Sequence, residues 1–174
     1  KTSSDAYNIY HHEMSMGYET DIEQTGSLAG DCIDLNTENP TVANYLLDKF
    51  GDFIRMGVDA FRVDTVKHIS RLTMNKYLIP GLYEIAKKCG NNNFFMFGEV
   101  CNRDRGVWNH NVGADSACFY TWKESKNYAW GDRKTNEAST KEAWDDNVSP
   151  DGHPTSNSVY LGSNYTYHAP DYSK

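Results

Sequence analysis

The sequence predicts an α/β fold made of parallel βα units, and three observations support this prediction. An amphipathic segment that begins near residue 40 runs directly into a short apolar segment at residues 58–63. A second helical stretch leads to another apolar run at residues 94–97, and an acidic side chain follows each apolar run within two residues. Helix, strand, helix and strand in this order are typical of a section of a barrel or of a doubly wound sheet.

The first 39 residues lack a sustained hydrophobic period and are rich in Tyr, His, Gly, Asp and Thr. Such a composition is typical of a long irregular segment rather than of a packed helix or sheet. We therefore expect a functional loop region over residues 1–39.

The first helix has a clear start. Asn39 is a good N-cap residue, and Pro40 falls in the first turn, where its missing N–H has no cost. We expect the helix to end near Gly57. Its apolar residues recur on one face: Val42, Tyr45, Leu46, Phe50, Phe53 and Ile54.

The two apolar runs predict two strands. Residues 58–63 are β-branched and aromatic, which predicts a short buried strand that ends at Asp64. Between the runs the pattern is helical, and we expect Pro80 to interrupt it and Gly90 to end it. The continuous apolar run at residues 94–97 predicts a strand covered on both faces, which ends at Glu99.

The second half of the chain gives weaker patterns. Residues 116–120 form a third candidate strand, and residues 137–146 a candidate helix. Residues 147–174 are dense in Asn, Ser, Gly, Pro and Tyr, which predicts loops.

Composition limits the possible partners. The 174 residues carry a net charge of −7, and no cluster of Lys and Arg forms the basic stripe typical of a nucleic-acid-binding protein. No run approaches the ~18 uninterrupted apolar residues that a membrane helix needs. We therefore expect a single domain that neither binds nucleic acid nor spans a membrane.

Arg62 and Asp64 form the first candidate for chemistry. Strand side chains alternate, so these two residues share one face. A guanidinium group at this distance favours the ionised carboxylate, which a nucleophile requires. An isolated Arg-x-Asp sequence is more often a structural ion pair, or an aspartate that caps the next helix.

Glu99 is the second candidate. A carboxylic acid beside Phe97, or beside another ring such as Trp108, has its charged form disfavoured and can act as a proton donor. A donor and an ionised carboxylate at the ends of adjacent parallel strands, about 5–5.5 Å apart, suit a retaining glycosidase. The alternative is a solvated glutamate at a strand end.

Three strings of residues carry a family resemblance. Residues 57–68, GVDAFRVDTVKH, resemble the fourth-strand motif of the α-amylase family. Residues 97–100, FGEV, resemble its fifth-strand motif, and residues 34–36, DLN, resemble a motif near the end of its inserted loop domain. Residues 115–120, DSACFY, are similar to its sixth strand, although less specifically.

The resemblance implies a fold and a domain organisation. The chain would be a section of a (β/α)8 TIM barrel, about strands 4 to 6 or 7, preceded by the tail of the inserted irregular domain. Residues 1–39 would be the end of that loop domain and residues 40–174 the barrel section. A full barrel needs about 250 residues, and the family's Asn-His-Asp string is missing. We therefore expect an inactive fragment of a larger enzyme.

The resemblance also implies residue roles. Asp64 would be the nucleophile, Glu99 the proton donor, and Arg62 the residue that holds the nucleophile. Lys67 and His68 would line the leaving-group side of the substrate site, although a solvated lysine and a packed histidine are the alternatives.

A calcium site is a further implication. Asp34 resembles a calcium ligand, with the backbone carbonyl of His68 as a second donor, and carboxylate plus carbonyl oxygen suits this hard ion. We expect the adjacent His11 and His12 to be structural, because the sequence places no carboxylates beside them at metal-ligand spacing.

The function that the resemblance implies is hydrolysis of α-1,4-glucosidic bonds in starch, glycogen or maltooligosaccharides by a double displacement. A transglycosylase uses the same covalent intermediate, so it remains an alternative. A non-catalytic glucan-binding relative is a further alternative. The presence of both Asp64 and Glu99 argues against it. The family resemblance also favours a secreted or cell-surface protein.

Overall fold

The structure is a computed structural model that describes residues 4–12, 15–16, 21–29, 31–99, 126–146, 158–162 and 167–168. Its described strands form one four-stranded sheet with helices packed against it. The candidate strand at residues 116–120 lies outside the described residues. In the part of the chain that the structure describes, no helix has the length and apolar character needed to cross a membrane.

Helix α1 spans Pro40–Arg55 and begins as the sequence predicts. The Asn39 side chain accepts a hydrogen bond of 3.0 Å from the backbone N–H of Thr41, which satisfies one of the free donors of the first turn. The chain leaves the helix through Gly57, whose φ of +100° is a conformation that glycine adopts without strain. The predicted apolar face is only partly buried: Ile54 lies in the core, while Phe53 is 49% exposed.

Strands β1 (Ala60–Val63) and β2 (Phe95–Glu99) are parallel neighbours, as predicted. Strand β3 (Ser158–Leu161) pairs with β2 in the antiparallel direction, and β4 (Tyr167–His168) pairs with β3 in the same way. The prediction of loops throughout residues 147–174 is therefore wrong at these two strands.

Packing explains why residues 158–161 form a strand despite their loop-like surroundings. Leu161 is fully buried in the core, and its backbone carbonyl accepts a hydrogen bond of 2.9 Å from the Tyr83 hydroxyl. Strand formation depends on such tertiary contacts more than on local preference.

The two parallel strands are less buried than their sequences predict. In β1 the side chains of Ala60 and Arg62 are exposed, and those of Phe61 and Val63 are half-buried. In β2 only one face is covered: Met96 is fully buried, whereas Phe95 is 45% exposed. The prediction that the run at residues 94–97 is covered on both faces is wrong at Phe95, which no layer of described residues covers.

The connection from β1 to β2 is helical and passes through Pro80 without a break. It contains a 3-10 turn (Val66–His68), helix α2 (Arg71–Thr73), a π-helical turn (Met74–Leu78) and helix α3 (Ile79–Lys88). Pro80 lies in the first turn of α3, where no backbone donor is needed. The chain stays helical through Pro80, but the regular α-helix begins only at Ile79, after the π-helical turn.

Helix α4 spans Arg133–Asp146, so it begins four residues before the predicted start. Asp132 explains the difference, because its Oδ1 accepts hydrogen bonds from the backbone N–H groups of Lys134 and Thr135 at 3.0 and 3.2 Å. Trp144 of this helix joins the main core, which lies between α1, α3 and the covered face of the sheet.

Candidate active site

Asp64 and Glu99 lie side by side at one edge of the sheet. Val63 is paired with Gly98 in the parallel register, so the next residues, Asp64 and Glu99, are abreast at the carboxyl ends of β1 and β2. Ligands of α/β sheets bind outside this edge of the strands. The register thus brings the two predicted catalytic carboxylates together.

Arg62 bridges these carboxylates. Its Nη1 donates a hydrogen bond of 2.7 Å to Oδ1 of Asp64, and its Nη2 lies 3.4 Å from Oε2 of Glu99. A guanidinium group is planar with donors in a fixed fork, so it can hold two acceptors in a defined relation. The Arg62 and Asp64 side chains are about half or more exposed, at 51% and 69%, which leaves the carboxylate open to a ligand.

The described contacts of Glu99 are polar rather than aromatic. Besides Arg62, its Oε2 accepts a hydrogen bond of 3.4 Å from the backbone N–H of Thr65. The sequence led us to expect an apolar setting against Phe97 or Trp108, but Trp108 lies outside the described residues. The polar contacts arise because the turn after β1 folds back over the end of β2.

Thr65 is a site residue that the sequence did not indicate. Its φ of +47° and ψ of +39° place it in the left-handed region, which is an outlier for a β-branched residue. This conformation turns the chain directly after Asp64 and directs the Thr65 N–H to Glu99. Strained backbone of this kind persists where the surroundings enforce it, often at functional sites.

An apolar groove of about 550 Å³ adjoins the carboxyl end of β1. Arg62 and Asp64 form part of its lining, and the aromatic rings of Phe50, Phe53 and Phe61 form much of the rest. The groove therefore provides space for a ligand beside the Asp64 carboxylate.

Lys67 and His68 contact the irregular first segment rather than open space. Lys67 is only 4% exposed, and its Nζ lies 3.8 Å from Oε1 of the buried Glu23. The Nδ1 of His68 donates a hydrogen bond of 2.9 Å to the backbone carbonyl of Glu23. In this structure both side chains attach that segment to the turn after β1.

His68 is largely neutral at physiological pH. Burial lowers the pKa of His68 below its ordinary value of 6.5, and the positive charge of Lys67 lowers it further. Together they outweigh the hydrogen bond to Glu23 and the negative charge of Asp34, which both raise the pKa. The negative charge of Asp34 therefore acts on the His68 ring.

Asp34 is held by a histidine that we expected to be merely structural. The two ring nitrogens of His11 lie 2.6 Å from Oδ2 of Asp34 and 2.8 Å from Oε2 of Glu38. Burial alone would lower the pKa of His11, but the hydrogen bonds and charges of the two carboxylates together raise it to about 9. No local pattern indicates this contact, because the carboxylates are 23 and 27 residues away along the chain.

The chemistry around Asp34 fits a calcium ion in part. Asp34 has a carboxylate and the backbone of His68 a carbonyl, both of which are hard oxygen donors. In the described stretches, no three side chains of His, Cys, Asp or Glu gather at metal-binding spacing. A calcium site here would therefore depend on carbonyl and water oxygens in addition to Asp34.

Comparison with known families gives one match that covers most of the chain. The family model described as "Alpha amylase, catalytic domain" matches residues 27–142. This range contains every residue that the sequence predicts for the site, from Asp34 to Glu99.

Curated relatives of two kinds are similar to the chain. A cyclomaltodextrin glucanotransferase of Klebsiella oxytoca is 41% identical over 66 residues, which cover 38% of this chain and 10% of that protein. An alpha-amylase of Butyrivibrio fibrisolvens is 28% identical over 134 residues, which cover 64% of this chain and 14% of that protein. An alpha-amylase of Streptomyces lividans is 36% identical over 75 residues, or 42% and 8% of the two chains.

The matched part of the chain thus spans roughly a tenth of the length of these relatives. No solved structure matches the chain.

Proposed function

This chain belongs to the alpha-amylase catalytic-domain family, and from that premise we propose that it carries the nucleophile and proton donor of a retaining α-glucan hydrolase. The substrate would be the α-1,4-glucosidic bond of starch, glycogen or maltooligosaccharides. Family membership makes a glycoside hydrolase the expected enzyme type, and the family fold is a (β/α)8 barrel.

The observation that carries the proposal is the bridge of Arg62 between two carboxylates. Asp64 and Glu99 end adjacent parallel strands, and one guanidinium group contacts both. A retaining glycosidase needs two carboxyl groups that flank one sugar bond.

The reaction would proceed in two displacements. The Asp64 carboxylate attacks the anomeric carbon while Glu99 donates a proton to the leaving oxygen, which forms a covalent glycosyl ester at Asp64. Glu99 then accepts a proton from water, and the water oxygen displaces Asp64 from the sugar. Arg62 would keep Asp64 oriented for attack in both steps.

The place of this chain in the barrel follows from its family membership. Strands β1 and β2 would be the fourth and fifth strands of the barrel, and the chain would cover about strands 4 to 6 or 7. Residues 1–39 would be the tail of the inserted loop domain. Lys67 and His68 would bind substrate on the leaving-group side, and their contacts with Glu23 would place the loop segment beside that side.

We propose calcium as a structural ion that joins the loop segment to the barrel. Asp34 and the backbone carbonyl of His68 would be two of its oxygen ligands. Calcium titration by calorimetry should show binding that Asp34→Asn weakens, whereas Asp31→Asn, at an exposed aspartate nearby, should not. Equal affinity in the two variants would exclude Asp34.

The catalytic roles can be tested in the protein with its flanking sequence restored. Asp64→Asn and Glu99→Gln should each abolish glucan hydrolysis while glucan binding persists. Asp59→Asn, at the opposite end of the same strand, and Glu84→Gln, on the exposed side of α3, are matched controls that should retain activity. An unaffected rate in Asp64→Asn would remove this residue from the mechanism.

A transglycosylase is the second candidate function, because the relatives include a glucanotransferase as well as alpha-amylases. The Klebsiella oxytoca relative is a cyclomaltodextrin glucanotransferase, and two other relatives are alpha-amylases. The two reactions share the intermediate and differ only in the acceptor. New reducing ends indicate hydrolysis, cyclic or elongated products indicate transfer, and binding without products indicates a non-catalytic relative.

The 174-residue chain by itself should be inactive. A barrel needs about 250 residues, and the third acidic residue of the family motif is missing from this sequence. A sensitive reducing-end assay on the purified chain would test this expectation, and turnover would refute it.

A further inference from the structure

Glu23 joins the irregular first segment to the turn after β1. This residue ends the short 3-10 turn Asp21–Glu23 and is 1% exposed. Its backbone carbonyl accepts a hydrogen bond of 2.9 Å from Nδ1 of His68, and its carboxylate Oε1 lies 3.8 Å from Nζ of Lys67. Two consecutive residues of the turn therefore contact one buried residue of a distant segment.

The carboxylate of Glu23 and the ammonium group of Lys67 are both buried, and Lys67 is only 4% exposed. Attraction between opposite charges is stronger in a protein interior than in water. Removal of one partner also leaves the other charge buried and uncompensated. The charge of Glu23 therefore holds Lys67, and with it the 3-10 turn Val66–His68, against the loop segment.

The turn after β1 also contacts the proposed proton donor. Thr65 lies directly before the 3-10 turn, and its N–H donates a hydrogen bond of 3.4 Å to Oε2 of Glu99. The Nη2 of Arg62 lies 3.4 Å from the same oxygen. Because both donors engage Oε2, the proton of a neutral Glu99 lies on Oε1, from which it can pass to a leaving group. The position of the turn thus affects the orientation of Glu99.

The proposed nucleophile depends less on this turn. Asp64 accepts a hydrogen bond of 2.7 Å from Nη1 of Arg62, which lies in β1 itself. A displaced turn should therefore disturb Glu99 more than Asp64. We propose that Glu23 is a positioning residue, which holds the turn in place and so orients Glu99 as the proton donor. This inference rests on the proposed function, because it requires Glu99 to be that donor.

Two substrates separate proton donation from the rest of the reaction. The leaving oxygen of a maltooligosaccharide needs a proton, whereas the fluoride of α-maltosyl fluoride leaves with its electron pair and needs none. In the protein with its flanking sequence restored, Glu23→Gln removes the charge at nearly constant shape. It should lower kcat on maltooligosaccharide about tenfold, part of the roughly 10²–10⁴-fold that a general acid contributes, and kcat on the fluoride by less than about twofold. Equal losses on the two substrates would overturn the proposal.

Two further variants frame this result. Glu99→Gln should show the same preference for the fluoride, with a larger loss on maltooligosaccharide. Glu38→Gln is the matched control because Glu38 is also 1% exposed and lies 2.8 Å from Nε2 of His11. None of its hydrogen bonds in the described part of the chain reaches residues 65–68. It should therefore affect stability without favouring either substrate, and a preference equal to that of Glu23→Gln would overturn the proposal.

Glu23→Asp decides the question if Glu23→Gln does not fold. It keeps the charge beside Lys67 but shortens the side chain by one methylene group, so a smaller loss confined to maltooligosaccharide is expected. No loss, or equal losses on both substrates, would overturn the role of Glu23. If Glu99→Gln itself hydrolyses maltooligosaccharide normally, the proposed function fails. If Glu99→Gln is impaired and the Glu23 variants show no substrate preference, only this inference fails.

Discussion

The Nη1 of Arg62 lies 2.7 Å from Oδ1 of Asp64, two residues further along the chain. Alternation along β1 places both side chains on the same face, and the same guanidinium reaches Glu99 on the adjacent strand. The nucleophile that we propose is thus oriented by its own strand, while its relation to the proton donor depends on the pairing of β1 with β2.

Replacement of Arg62 by lysine should separate orientation from charge. Lysine keeps the positive charge but loses the planar fork, so it cannot hold both carboxylates in the same geometry. In the protein with its flanking sequence restored, we expect Arg62→Lys to lower kcat about 100-fold, as misplacement of a reacting group does. The melting temperature should change little because the pair is exposed. Arg55→Lys, which alters the exposed Arg55–Asp52 pair of α1, is the control. Similar kcat values for the two variants would contradict the orienting role.

Thr65→Asn should stabilise the chain and impair the site. Asparagine tolerates the left-handed conformation that Thr65 adopts at φ +47°, so relief of about 1 kcal/mol should raise the melting temperature by about 2–4 °C. The more relaxed turn should hold Glu99 less firmly and lower the kcat of the protein with its flanking sequence restored. Thr41→Asn, at a helical threonine, should shift neither quantity. A melting temperature below that of Thr41→Asn would exclude strain at Thr65.

Gly98→Ala should destabilise the junction of β2 with the turn after β1. A Cβ at Gly98 would lie 2.5 Å from Cγ1 of Val66, which is fully buried and cannot move freely. Overpacking of this kind costs about 1–3 kcal/mol. Gly131→Ala is the matched control because no atom of the described residues lies within 4 Å of the added Cβ. Urea unfolding of both variants measures the difference, and equal midpoints would show that Val66 adjusts.

Local signals in the sequence located most of the helices and the two parallel strands. Asn39 and Pro40 mark the start of α1 because capping depends on adjacent residues. Asp64 and Glu99 could be placed at strand ends because each is the first acidic residue after an apolar run that predicts a strand. The roles assigned to these residues remain predictions, since they came from the family resemblance.

Contacts between distant parts of the chain could not be predicted in the same way. The sequence separates His11 from Asp34 and Glu38, so the pair of histidines gave no sign of its carboxylate partners. Strands β3 and β4 depend on pairing with β2, and the left-handed turn at Thr65 depends on the surrounding packing. Each of these features is decided by tertiary structure, to which a single sequence gives no direct access.

The His11 contact predicts a specific dependence of stability on pH. The pKa of His11 in the folded chain is about 9, above the ordinary value of 6.5, so the folded state binds this proton more tightly than the unfolded state. The resulting stabilisation, about 3 kcal/mol, is complete below pH 6.5 and is lost as pH rises through 9. Urea unfolding with a chelator present, so that no cation competes for Asp34, should show this loss. The loss of stability at high pH should disappear in His11→Gln. It should persist in His12→Gln, because the His12 ring is 46% exposed. If the unmodified chain is equally stable at pH 6.5 and pH 9.5, His11 does not hold its proton between these carboxylates.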